Sequence, residues 1–444
     1  IGSGADGSFT AIAGSSVAAG AIQIAASGSV SGSLRATNST ISTVNVISGG
    51  GSATLQLSGV DLKLLGGPSV VDTLLIDGSF AGNVGIGSGG LTVDTQGGNA
   101  QISSGLTGSG ALTKTGDGRL RLNTTNTYAG GTTIDGGVLE LTGNSNLGNG
   151  NVALGTGELR AHTDSTLSGN IGSGIQLISV AGNQTGTFSA ATGQTLALAP
   201  LDFLLVSGST MQAGSAGNTG NVLFAPTGAA ALTANTAVNV AAGTLTAGNA
   251  ELEFITSIAS STTMAAGATL DFNDQLAGTG IYALFGAGTV NTGSSTNVTL
   301  RVGSGDFSGL ISGQGAFVKD GTGTLVIGAG GNIAVMGAAT VDAGTLVVNG
   351  SIASGLGSAQ VNTGGTLGGT GLVGPVTLAG GNLAPGNSPG TITVADLLWA
   401  SGTIVFDLGP TQAQSDLIET GTLYGLGTSY VFDFQNNGWA EGLT

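Results

Sequence analysis

The sequence predicts an all-β fold of short strands wound into a solenoid. Three observations carry this expectation: apolar side chains alternate with a period of two, glycine-rich corners separate the alternating runs, and an internal repeat recurs with no linker. In Arg119-Leu120-Arg121-Leu122 the leucines face one way and the arginines the other. Val138-Leu139-Glu140-Leu141 follows suit, with Glu140 expected outward. Thr403 to Leu408 sets Ile404, Phe406 and Leu408 opposite Asp407, and Tyr430 to Phe434 sets Tyr430, Phe432 and Phe434 opposite Asp433. Such alternation predicts one buried face and one wet face. Helix signals are nearly absent. There is no long 3.6-residue stripe, and glycine, at about 1 kcal/mol against a helix, interrupts the chain roughly every ten residues.

Corners come next. Asp135-Gly136-Gly137, Gly364-Gly365 and Gly380-Gly381-Asn382 stand between strand-like runs, where glycine supplies the positive φ of a sharp turn. Strand, corner, strand at short spacing fits either a series of β-sandwiches or a coil that lays one rung on the next. Two features favour the coil. Gly110-Ala-Leu-Thr-Lys114-Thr-Gly-Asp-Gly-Arg-Leu120 recurs as Gly315-Ala-Phe-Val-Lys319-Asp-Gly-Thr-Gly-Thr-Leu325, and both copies run on to a Gly-x-Leu strand, Gly137-Val138-Leu139 and Gly344-Thr345-Leu346. The pattern also continues from end to end without a compositional break, so residues 1–444 are read as one continuous solenoid. At about 20 to 25 residues per rung and ~4.8 Å between strands, it would have about 18 to 22 rungs over roughly 90 to 100 Å.

Composition narrows the function. With 86 glycines, 7 prolines, no cysteine and one histidine among 444 residues, Cys/His zinc sites and disulfide frameworks are impossible. Glycine lacks the three-residue period of collagen. A mean hydropathy of +0.37 argues against disorder. Eight Lys+Arg against 24 Asp+Glu, net −16, cannot form the basic stripe that nucleic acid or anionic lipid requires. No apolar run approaches the ~18 to 20 residues of a spanning helix, and no signal peptide is visible. The chain reads as an excised piece of something longer that continues beyond Thr444.

The stretch Gly108-Ser-Gly-Ala-Leu-Thr-Lys-Thr-Gly-Asp-Gly-Arg-Leu-Arg-Leu, running on through Asn126-Thr-Tyr-Ala-Gly-Gly-Thr-Thr-Ile-Asp-Gly-Gly-Val-Leu-Glu-Leu141, resembles the passenger-associated repeat of bacterial autotransporters. The second copy matches at Lys319, Gly321, Gly323, Leu325 and Gly344-Thr345-Leu346, and departs at Asn332-Ile-Ala-Val-Met336, where the Asn/Tyr/Gly-Gly block should stand. Gly267-Ala-Thr-Leu-Asp-Phe-Asn273, Gly286-Ala-Gly-Thr-Val290 and Leu383-Ala-Pro-Gly-Asn-Ser-Pro-Gly-Thr391 resemble other motifs recurrent in the same proteins. The resemblance covers about 105–145 and 265–395. It implies a right-handed parallel β-helix, exported by a Gram-negative-type bacterium and displayed on or shed from the cell surface.

Candidate chemistry is thin. Glu158, Arg160, His162 and Asp164 alternate, so a strand would carry all four on one face, either as an acid/base cluster or as mutually paired charges on a wet strand. The second reading fits better, because no nucleophile accompanies them. Lys114 and Lys319, with Asp117 and Asp320 close behind, are expected in glycine-flanked turns, binding carbonyls at a corner or pairing with a carboxylate rather than working as buried catalytic amines. Gly2 to Gly7 resembles one copy of a calcium nonapeptide, and calcium rolls need that unit in tandem. Serine-hydrolase and dinucleotide signatures carry no signal. The sequons at Asn38, Asn123, Asn183 and Asn297 are expected by chance in a Thr-rich chain. No catalytic, cofactor-binding or metal-binding residue is assigned, and no cofactor is expected.

The function expected is that of a structural and interaction protein at the cell surface, a stalk or adhesin. Its partners would be a surface glycan, a protein ligand, or further copies packed end to end or side by side. A carbohydrate-active β-helix enzyme, a lyase or glycosidase, is the alternative. It fits poorly with two Trp (Trp399, Trp439), four Tyr and sparse charge.

Overall fold

The structure, a computed structural model, describes residues 6–25, 31–49, 52–65, 72–80, 84–144, 147–170, 173–174, 176, 177–200, 202–276, 278, 280–353, 358–386, 389–427 and 430–436. Two compact units divide the chain, Ile1–Thr236 and Ala237–Thr444. Each is a β-solenoid of stacked parallel strands, and the turns number about 17 in all. Turn length explains why the count falls just below the 18 to 22 expected. Leu120, Leu139, Leu159 and Phe188 are successive ladder partners, so turns of 19 and 20 residues are followed by one of 29. The long turn houses an antiparallel hairpin, Ser165–Asn170 against Ser173–Gly174.

In the first unit the inward positions stack in register. Leu112, Thr132, Val152, Ile178, Phe203 and Ala230 form one ladder. The expected leucines of Arg119–Leu122 are buried, and its arginines lie at the surface, half-buried. Phe188, Phe203 and Phe224 meet in tilted and edge-on contacts with centroids 5.9 and 4.8 Å apart, a geometry that adds about 0.5–1.5 kcal/mol per pair beyond burial. Main-chain N–H and C=O groups pair between turns, so small and aliphatic residues suffice to fill the interior.

The second unit repeats this economy through Leu325, Leu346 and Leu367 and on through Leu383 to Ile404. It also departs from expectation. An α-helix forms at Glu251–Ile258, burying Leu252, Glu253, Ile255 and Thr256. Its two glutamates sit in the first turn, where the helix dipole favours anions. The glycine-free stretch 249–266 is the signal that goes unread, because eight residues show too little 3.6 periodicity. Thr403–Leu408 lies inside one long strand, Thr391–Leu408; Ile404 is buried there, while Phe406 and Leu408 are half-buried. Phe432 and Phe434 are 51 % and 59 % exposed rather than buried. They pair with Ile404 and Phe406 on one side, and among the described residues no further strand lies on the other. No helix among the described residues is long and apolar enough to cross a membrane.

Candidate functional site

The repeat lysines are not in turns. Lys114 ends an inward row, register-paired with Val93 on one side and Ile134 on the other, and Lys319 stands likewise between Val302 and Val341. Both are fully buried. Each ammonium donates to three main-chain carbonyls: Lys114 Nζ to Thr115, Gly116 and Gly136 at 2.7, 2.7 and 3.0 Å, and Lys319 Nζ to Asp320, Gly321 and Ala343 at 2.8, 2.8 and 2.9 Å. Two acceptors come from the lysine's own corner and the third from the next turn, so one cation ties two turns together. The carbonyl binding expected of these lysines is present, and the exposed turn is not. Burial pushes Lys114 down to about 8, partly opposed by Asp94 and Asp117, and pushes Lys319 down against the pull of Asp320. The three short acceptors use all three N–H donors of the charged form, which is how a buried ammonium is tolerated.

The glycine of the Gly-x-Leu strand completes the corner. Gly137 and Gly344 have φ of +59° and +65° and directly follow the third acceptor. A Cβ at Gly137 would collide with the carbonyls of Gly116 and Gly118, and one at Gly344 with those of Gly321 and Gly323. Only glycine fits both the backbone and the space.

A charged face lies outside this corner in the first unit. Arg121, Glu140 and Arg160 are register partners on successive turns. Arg121 Nε reaches Glu140 Oε2 at 2.6 Å, and Arg119 Nε lies 3.4 Å from the same oxygen. Arg160 Nη1 lies 3.8 Å from Glu140 Oε1, and Arg160 Nε donates to Glu158 at 2.9 Å. Asp72 pairs with Arg119 and with Arg121. Glu140 points outward as expected but is 2 % exposed, because three guanidiniums cover it. Of the four predicted residues, Glu158 and Arg160 pair directly, and exposed His162 approaches Glu140 at 3.8 Å. Asp164 turns away to accept the Thr195 N–H at 2.8 Å. Glu158 also accepts from Ser189 and Ser215. Mutual pairing describes the face.

The remaining candidates serve the corners. Asp117 is exposed, and Asp320 takes a bond from Arg301 at 3.0 Å. Asn38 and Asn183 occupy positive-φ corners, and Asn123 donates to Gln101 and Ser103. The Gly2–Gly7 motif falls largely outside the described residues, as does Trp439. Two residues quoted only as motif letters prove structural. Asn126 accepts the Leu106 N–H at 2.7 Å, and fully buried Tyr128 shares a 2.7 Å hydrogen bond with Thr132. Burial pushes its hydroxyl up to about 12.

The two corners closed by a buried lysine and a left-handed glycine are similar to a repeat of autotransporter passengers. The family described as passenger-associated-transport-repeat matches residues 112–141 and 317–348, the two lysine corners with their flanking strands. The adhesin BmaC autotransporter of Brucella suis biovar 1 (strain 1330) is 40 % identical over 95 residues. That stretch is 21 % of this chain and 3 % of the relative, so the chain spans a small part of the relative's length. No solved structure matches. The repeats and the fold fit a passenger-type repeat protein.

Proposed function

We propose that this chain is part of a non-enzymatic surface passenger, exported by a Gram-negative-type bacterium, that acts as a stalk with adhesive lateral faces. The observation that carries the reading is the lysine corner, built twice in the same way inside parallel ladders and coincident with the matched repeats. The relative's name, an adhesin, supports the adhesive half. A stalk of this kind holds a partner-binding surface away from the envelope, and many weak Thr, Ser and Asn contacts sum along it. A surface glycan or a protein on another cell is the partner; nucleic acid is not, and this segment does not insert in a membrane. Self-association is a second reading, favoured by exposed Leu423, Phe432 and Phe434 on the last described turn; sedimentation of the purified chain at increasing concentration tests it.

An antibody raised against the chain should label intact producing cells, and beads coated with the chain should attach to host cells. Labelling only after permeabilisation would overturn the surface assignment. Cleavage of an acidic polysaccharide, lost in Arg160→Ala and His162→Ala, would reinstate the enzyme.

A further inference from the structure

We infer that the second unit carries a binding groove for a neutral saccharide, with Tyr282 as its platform and the Arg301–Asp320 pair as its hydroxyl clamp. The proposal deepens the adhesive reading above and rests on it for the biological role. The groove encloses about 400 Å³ and is lined by Ser257, Tyr282, Arg301, Ser304, Asp320 and Thr322, among others. That volume lies within the range of small-molecule sites.

The groove is built rather than incidental. One side is lined by Ser257 at the end of the helix Glu251–Ile258, which is tied to the start of the strand Ile281–Gly286. Glu253 Oε1 accepts the N–H of Gly278 at 3.0 Å and of Gly280 at 2.8 Å, and Thr256 Oγ1 donates to the Gly280 carbonyl at 3.0 Å. Between buried Ile281 and Ala283, Tyr282 points outward and is 60 % exposed. Ile281 pairs with Val302 and Ala283 with Ser304, so the position beside Tyr282 on the next turn is Gly303, which has no side chain to cover the ring. On the turn after that, Asp320 Oδ2 accepts from Arg301 Nη1 at 3.0 Å, and both side chains are at least a third exposed. Among the described residues, the Arg301 side chain pairs with Asp320 alone.

This chemistry fits a sugar. An aromatic ring takes the apolar C–H face of a pyranose. A guanidinium and a carboxylate side by side offer donors and acceptors to adjacent hydroxyls, and three hydroxyl side chains lie around them. The pair is charge-balanced, and a chain of net −16 repels acidic saccharides, so the ligand is neutral. Nor does the lysine corner require these residues. By register, the first copy folds the same corner with Thr92 and Thr115 where the second has Arg301 and Asp320, and with Lys63 where the second has Tyr282.

The test is binding of the whole chain to immobilised neutral disaccharides (lactose, cellobiose, maltose, chitobiose) beside sialylated and glucuronylated oligosaccharides. Tyr282→Ala and Arg301→Ala are the variants, Tyr424→Ala the exposed-aromatic control, and circular dichroism the check on folding. At least one neutral disaccharide should bind, and each groove variant should weaken it roughly tenfold while the control leaves it unchanged. No neutral binding, binding of acidic sugars alone, or binding indifferent to both groove variants overturns the groove. Attachment of chain-coated beads to host cells, measured in parallel, separates the two claims: attachment without any neutral-saccharide binding sinks the groove and spares the adhesive role. Saccharide binding without attachment does the reverse.

Discussion

In the repeat copy at 112–141, the strand after the lysine corner sends Arg119 and Arg121 outward, and the next turn answers Arg121 with Glu140. In the copy at 317–348, the same register positions hold Thr324, Val326 and Val347. The middle of the repeat differs as well. The first copy plugs it with Asn126 and buried Tyr128, whereas the second runs a strand through it, Asn332–Val335, that buries Ile333 and Val335. The inner ladder, the lysine with its three carbonyls and the left-handed glycine are common to both. The difference teaches that the repeat specifies a corner and leaves the outer face free, so each turn can carry its own surface chemistry.

The sharpest way to break the comparison is Tyr128→Ala. It should cost about 4 kcal/mol, as large-to-small changes of buried aromatics do, with the loss of hydrogen-exchange protection centred on the first copy and the second copy unaffected. Replacing the cation tests what the copies share. Lys114→Met and Lys319→Met each remove a cation shared by three part-buried carbonyls and should cost about 3 kcal/mol apiece in urea unfolding; a negligible loss in either would mean that the corner does not depend on its cation. Glu140→Gln tests what they do not share. It should destabilise by about 1–2 kcal/mol, because three guanidiniums lose a common counter-charge, and the loss should shrink at high salt.

The smallest expected effect is a pH profile with two opposite slopes. The Lys114 ammonium is held down to about 8 in the folded chain, against 10.5 when unfolded. The unfolded chain therefore binds more protons between these values, and stability rises with pH across that window. Tyr128 is held up to about 12, against 10.0, so its contribution is full below pH 10 and is lost as pH climbs toward 12. Urea midpoints between pH 7.5 and 11 should rise and then fall. Lys114→Met should shrink the rise to the part that Lys319 supplies, and Tyr128→Phe should remove the fall.

Much of this was legible in the sequence. Alternation in Arg119–Leu122 and the recurrence at 110–120 and 315–325 point to ladders and turns, because period two and repetition are local signals. Burial of Glu140 was not legible, since its cover comes from Arg119 and Arg121 on the turn before it and Arg160 on the turn after. The inward position of Lys114 was hidden for a related reason: flanking glycines read as a turn, and the third acceptor, Gly136, lies 22 residues away. The groove beside Tyr282 depends on Gly303 and Asp320, which register alone brings near.

The buried lysine also bears on alignment. A ladder of valines and leucines tolerates a slip of two residues, because alternation is preserved and one aliphatic replaces another. Lys114 does not tolerate it. A slipped turn would carry the ammonium into an apolar row without its three carbonyls, at a cost of several kcal/mol. Wherever such a corner occurs, the growing stack is proofread by one charge.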